Sequence, residues 1–174
     1  MAAIEQPPVV ADAGPIIHLD EMGCLDLLGD FGTVLVPREV WDEVARHRSQ
    51  LAATGVPGGS VVDCADGPTP RLLALANSLG LDAGETAALA LMEARRARLF
   101  LCDDAAARLA AESLGFDVHG TIGIIVRATR ARSRTPDEVL AILRRIPDLS
   151  TLHISGRLLA AVIADVEQDT PPAA

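Results

Sequence analysis

Asp12, Glu43, Glu85 and the pair Asp103-Asp104 are the residues of this 174-residue chain whose type and placement best suit chemistry. All are carboxylates, so together they offer oxygen donors only, which is the preference of Mg2+ and Mn2+. Asp12 directly follows the apolar run Pro8-Val9-Val10-Ala11 and precedes Ala-Gly-Pro, as an acid at the end of a buried strand does. Asp103-Asp104 follows the apolar stretch 98–102 in the same way. Glu43 stands in VWDEV one turn after Glu39, and Glu85 stands in LDAGETAALAL in the first turn of a helix. Acids gathered in one cleft repel one another and stay ionised only where cations neutralise them. Each acid also has a purely structural use. Glu85 lies three residues after Asp82, the spacing of a capping box. Asp103 or Asp104 can cap the next helix, Glu43 can be a solvated helix residue, and Asp12 can be a turn residue. Asp12 fits its structural use least well, because a buried strand leads straight into it.

Positioning these acids requires particular elements. Short apolar or β-branched runs predict strands over 8–11, 33–36, 98–102 and 116–118. The Gly- and Pro-rich stretch 53–70 predicts a loop with at most a short edge strand. Helical periodicity predicts helices over 16–28, 37–48 and 71–80, then one capped by Asp82. Further helices are expected from Asp104 to Gly115 and over 120–132, 136–145 and 155–166, with a frayed PPAA tail. Strands that read as continuous apolar runs and alternate with helices predict a three-layer α/β/α fold with a central parallel sheet. Ligands bind beyond the carboxyl ends of such strands, so the fold would gather Asp12 and Asp103-Asp104 across about ninety residues of sequence. No repeat or low-complexity linker divides the chain. Residues 1–174 are expected to form a single domain, with a core over about 8–130 and C-terminal helices over about 135–168.

Composition narrows the chemistry. With 49% hydrophobic residues the chain can bury a core. No apolar run reaches the roughly 18–20 residues that span a bilayer, and MAAIEQPPVV lacks the pattern of a secretory signal. Cys24, Cys64 and Cys102 show no C-x-x-C spacing, which predicts a reducing cytoplasm rather than a disulfide framework or zinc site. Cys102, at a strand end, is expected to be a buried small hydrophobe. All fifteen basic residues are arginine. The absence of lysine excludes P-loop, receiver-domain and haloacid-dehalogenase-type chemistry and every Schiff-base mechanism. A net charge of −9 disfavours phosphate-rich partners unless cations offset it.

The stretches VVADAGPIIHLDEMGCLDLL, VLVPREVWDEV, LDAGETAALALM, LFLCDDAAARLAAESLGF and HGTIGIIVRA resemble the PIN-domain family of metal-dependent ribonucleases, over about residues 8–130. The resemblance is nearest to a branch similar to the toxins of toxin–antitoxin pairs. It implies a Mg2+- or Mn2+-dependent endoribonuclease with Asp12, Glu43, Glu85 and Asp104 as catalytic acids, which hold the metal together with Asp103, the neighbour of Asp104. It also implies an RNA substrate, an antitoxin protein as partner and a homodimer. The sequence departs from the family pattern at two places. Ala13-Gly14 follows Asp12 where the family places a hydroxyl residue, and Cys102-Asp103-Asp104 stands where it places Thr-x-Asp. These departures motivate a second reading, a catalytically weak or inactive PIN-like module for protein binding or dimerisation. For a nuclease, Arg127 and Arg130, among the arginines at 127, 130, 132 and 134, are the candidate contacts to the RNA backbone. With no Tyr, three Phe and one Trp, base stacking is a poor expectation. His18 and His119 lie near predicted strand ends and could approach the site, although surface or hydrogen-bonded histidines are the stronger expectation; Gly120-Thr121 could bring backbone to it.

Overall fold

The computed structural model describes residues 7–169; the PPAA tail lies outside them. Five strands form one parallel sheet: β1 (Val9–Ala11), β2 (Val34–Pro37), β3 (Gly59–Val62), β4 (Leu99–Leu101) and β5 (Asp117–His119). Their order is β3-β2-β1-β4-β5. β1, β2 and the inner residues of β4 are buried, as strands covered on both faces must be. β3 is the short edge strand expected within 53–70, and it is only partly covered.

Helices flank both faces of the sheet: α1 (Ala13–Glu21), α2 (Arg38–His47), α3 (Leu51–Thr54), α4 (Pro70–Leu79), α5 (Ala83–Arg95), α6 (Ala105–Ser113), α7 (Thr121–Ala131), α8 (Pro136–Leu149) and α9 (Gly156–Gln168). The three-layer α/β/α architecture expected from the sequence is therefore present. α5 packs on β1, β2 and α2. α7 packs on α1 and supports α8, which carries α9. Val10, Phe100, Leu101, Ile16, Leu89 and Ile124 are completely or almost completely excluded from water in the shared core.

Several boundaries differ from the sequence expectation. The helix expected over 16–28 is interrupted. α1 stops after Glu21, and a 3-10 helix occupies Leu25–Phe31. Gly23 causes the break. It sits at φ 67°, its amide bonds the Asp20 carbonyl, and the Cys24 amide bonds the Leu19 carbonyl. Those two bonds make a Schellman stop, for which glycine pays little conformational strain. Pro37 closes β2 instead of opening the next helix. β5 starts one residue later than expected, and α8 continues past Arg145 through Pro147 to Leu149.

The strand order reverses between β1 and β4. That switch point opens a crevice at the carboxyl edge of the sheet, where ligands of such folds bind. Among the described residues no helix is long and apolar enough to cross a membrane.

Candidate active site

Asp12 and Asp103 leave the sheet side by side at this switch point. The Asp12 amide donates to the Leu101 carbonyl at 2.9 Å, and the Cys102 amide donates to the His119 carbonyl at 2.9 Å. The ladder thereby holds three strand ends, after β1, β4 and β5, around one opening. A cavity of about 790 Å3 lies there. Six carboxylates line it: Asp12, Glu43, Asp82, Glu85, Asp103 and Asp104.

Asp12 occupies the N-cap position of α1, yet its side chain makes no capping bond. It is only 7% exposed. Its side-chain partner is the Cys102 thiol, at 3.6 Å from Oδ2. Burial pushes its pKa from 3.8 up to about 6, opposed in part by the Ala13 amide and the Cys102 thiol, and the charges of Glu43 and Asp82 push the same way as burial. A shift of that size means that the ionised form of Asp12 is about 3 kcal/mol less favourable here than in an ordinary aspartate. Burial and the Asp12 charge in turn push the Cys102 thiol upward, so it stays a protonated hydrophobe.

Glu43, Asp82 and Glu85 form the wall facing Asp12. Val40 and Val44 anchor α2 in the core and leave Glu43 at the rim of the cavity. Asp82 and Glu85 make a complete capping box for α5. Asp82 Oδ1 accepts from the Glu85 amide at 2.8 Å, and Glu85 Oε2 accepts from the Asp82 amide at 2.9 Å. The structural use of Glu85 is thus realised, and its carboxyl still lines the cavity. Burial pushes Glu85 up to about 7, with Asp82, Asp104 and Asp12 adding repulsion. Gly84 brings the walls together: a Cβ there would stand 3.3 Å from Asp82 Oδ1 and 3.7 Å from Glu43 Oε2.

Asp103 and Asp104 behave differently from these. Asp103 Oδ1 accepts from the Thr121 amide at 2.8 Å, and Oδ2 accepts from the Thr121 hydroxyl at 2.6 Å. His18 Nδ1 lies 2.9 Å from the same Oδ2. Burial alone would raise Asp103, but the bonds from His18 and Thr121 outweigh it and hold its carboxyl below the usual range. Asp104 Oδ1 caps α6 through the amides of Ala106 and Ala107, at 2.8 and 3.0 Å. Its side chain still borders the cavity.

The structure therefore brings Asp12, Glu43, Glu85, Asp103 and Asp104 to one cavity. Among the described residues, no three His, Cys, Asp or Glu side chains stand close enough to hold an ion as placed. Arg127 and Arg130 are not in this cavity. They line a neighbouring groove that shares His119 and Gly123 with it. The Arg127 guanidinium lies 4.3 Å from the centroid of the Phe31 ring and donates to the Asp30 carbonyl at 3.2 Å.

Three contributors escaped the sequence reading. Asp82 is a sixth cavity acid as well as a cap, and its place at the same helix start as Glu85 was the available signal. Arg108 lies one turn after Asp104 on α6 and faces the cavity. The segment 151–154 closes the far wall because Glu21 accepts from the Ser150 hydroxyl and the Thr151 amide, each at 2.8 Å. That tie spans about 130 residues and has no local signature.

The fold and its cleft define an acid-lined α/β domain. The chain belongs to the PIN-domain family, since the family model DUF3368, described as a PIN domain, matches residues 8–168. PIN domains are nuclease-type folds that typically bind divalent metals. A comparison with curated proteins finds no match.

Proposed function

We propose that this chain, as a single domain over residues 1–174, is a Mg2+- or Mn2+-dependent endoribonuclease. Asp12, Glu43, Glu85 and Asp104 hold the metal directly or through water, and Asp82 adds charge beside them. The observation that carries this reading is Asp12, a nearly inaccessible carboxylate whose side-chain partner among the described residues is a thiol. A buried acid without a cation is costly, and five further carboxylates surround the same cavity. The donor set is all oxygen, which fits a hard divalent ion. Rotation of the partly buried Glu43 and of Asp104 is what would close the set around an ion.

A bound divalent ion supplies positive charge for the phosphate and lowers the pKa of the attacking water. The chain's own residues do the rest. Asp12 fixes the floor of the site because β1 and β4 hold its backbone. The Asp82–Glu85 box fixes the start of α5, and so the distance between its acids and Glu43. The bonds from His18 and Thr121 tie down both oxygens of Asp103, which makes that acid a positioning residue. The groove beside the cavity, with Arg127 and Arg130, receives RNA backbone beyond the cleavage point; Arg127 keeps its contact with Phe31 while doing so. A cytoplasmic toxin role, an antitoxin partner and a homodimer are supported by the sequence resemblance to toxin-like PIN domains.

The test incubates purified protein with structured and single-stranded RNA in Mg2+, Mn2+ or EDTA, beside Asp12→Asn. Cleavage that needs the ion and disappears in the variant is expected. Cleavage in EDTA, or full activity of the variant, contradicts the reading. RNA left intact under every condition favours the protein-binding module.

A further inference from the structure

One cavity residue does not fit an acid cluster. Arg108 is the single arginine among the described residues that line the cavity, facing six carboxylates. An arginine there would be expected to pair with one of them, yet none of the ion pairs among the described residues includes it. Its one side-chain hydrogen bond runs from Nη1 to the Cys102 carbonyl, at 3.0 Å. That carbonyl belongs to the end of the strand that carries Asp103, so the guanidinium is pinned to the rim of the sheet. Among the described residues the rest of its planar fork makes no hydrogen bond or ion pair. Two neighbours keep it so. Asp103 already has Thr121 on both of its oxygens and His18 at Oδ2, so three polar contacts compete with the guanidinium for it. Gly120 leaves the approach open, because a Cβ there would stand 2.8 Å from Asp103 Oδ1 and 3.0 Å from Arg108 Nη1.

We infer that Arg108 is the phosphate-binding residue of the cavity, taking one phosphodiester group of a single-stranded RNA beside the acids. This rests on the nuclease reading for the substrate class. The physical need is direct. A phosphodiester entering a cavity lined by carboxylates meets repulsion, and a guanidinium fork matches phosphate oxygens in shape and charge. An arginine pinned by one nitrogen loses less rotamer entropy on binding than a free one. Arg127 and Arg130, one groove away, meet the backbone farther along the strand.

The test is binding, so it does not depend on turnover. A fluorescent single-stranded 2′-O-methyl RNA would be titrated in Mg2+ at several salt concentrations against wild type, Arg108→Gln, Arg108→Lys and Arg130→Gln. Thermal melts of each variant establish that it is folded. Arg108→Gln is expected to bind about 10- to 100-fold more weakly, as loss of a charge-assisted bond implies. Its log Kd against log salt slope should shrink by roughly 0.7, the share of one phosphate on a single strand. Arg108→Lys should restore the slope but only part of the affinity, and Arg130→Gln should cost less than Arg108→Gln. Equal affinity and slope for wild type and a folded Arg108→Gln overturn the inference, and so does an absence of RNA binding by wild type. Cleavage is read separately on unmodified RNA. If wild type binds through Arg108 yet never cleaves, the nuclease reading fails and this inference stands.

Discussion

Asp12 and Asp103 end adjacent strands of one sheet, and the protein surrounds them in opposite ways. Asp103 receives an amide, a hydroxyl and an imidazole, and its carboxyl is held below the usual range. Asp12 is more deeply buried, accepts from a thiol at 3.6 Å, and is pushed up to about 6. Its neighbours across the cavity, Glu43, Asp82 and Glu85, add negative charge rather than relief. Folding alone explains the first arrangement, since satisfied buried acids are ordinary structural parts. It does not explain the second. An acid kept buried and only partly relieved makes sense when something positive completes it, and shifts of this kind concentrate at functional sites. Asp12 is thus the acid that the proposed ion would complete, with Asp104 reaching the same cavity from beyond β4 and Asp103 serving as the frame.

The largest expected effect breaks the first region. Asp12→Asn should lower metal-dependent RNA cleavage by more than about 100-fold, the upper range for loss of an outer-shell partner, read as kcat/KM. The same variant should raise the stability of the metal-free protein near neutral pH, read from urea midpoints in EDTA. A fall in stability would remove the contrast with Asp103.

The pH dependence follows with its sign. The folded-state pKa of Asp12, about 6, lies above 3.8. Between those values the folded protein binds more protons than the unfolded chain, so stability in EDTA falls as pH rises through that window. For Asp12 alone the loss is about 3 kcal/mol once complete. Glu85, pushed up to about 7, extends the decline toward neutral pH. Saturating Mg2+ should flatten the curve, and an unchanged slope would show that the acids are not where the ion binds.

Asp103→Asn tests the second region. It keeps the shape but weakens three bonds to a charged acceptor, so it should cost about 2 kcal/mol by chemical denaturation. A stabilised Asp103→Asn would mean that this side is unrelieved as well. The smallest effect is expected from Asp104→Ser. Serine retains capping ability, so stability should stay within about 0.5 kcal/mol, while Mg2+ affinity falls if the charge of Asp104 serves the ion.

Much of this was legible in the residues. The apolar runs before Asp12 and Asp103 predicted strand ends, and the parallel-sheet rule placed both at one edge. The spacing of Asp82 and Glu85 predicted the cap that forms. What stayed hidden depends on contacts between distant parts of the chain. Asp103 and Asp104 read alike in sequence, and only Thr121 and His18, arriving from other elements, separate them. Nothing in the sequence singled out Arg108 in its alanine-rich helix; its direction depends on the Cys102 carbonyl. The wall at 151–154 depends on Glu21, and the interrupted first helix depends on the left-handed Gly23.

The most direct test of the central claim is a calorimetric titration of Mn2+ into the metal-free protein at pH 6.5, in two buffers of different ionisation enthalpy. The raised values at Asp12 and Glu85 predict binding with release of on the order of one proton per ion, with affinity and proton release lost in Asp12→Asn and kept in a folded Asp103→Asn. Equal binding by Asp12→Asn, binding without proton release, or no binding by the wild-type protein would contradict the account.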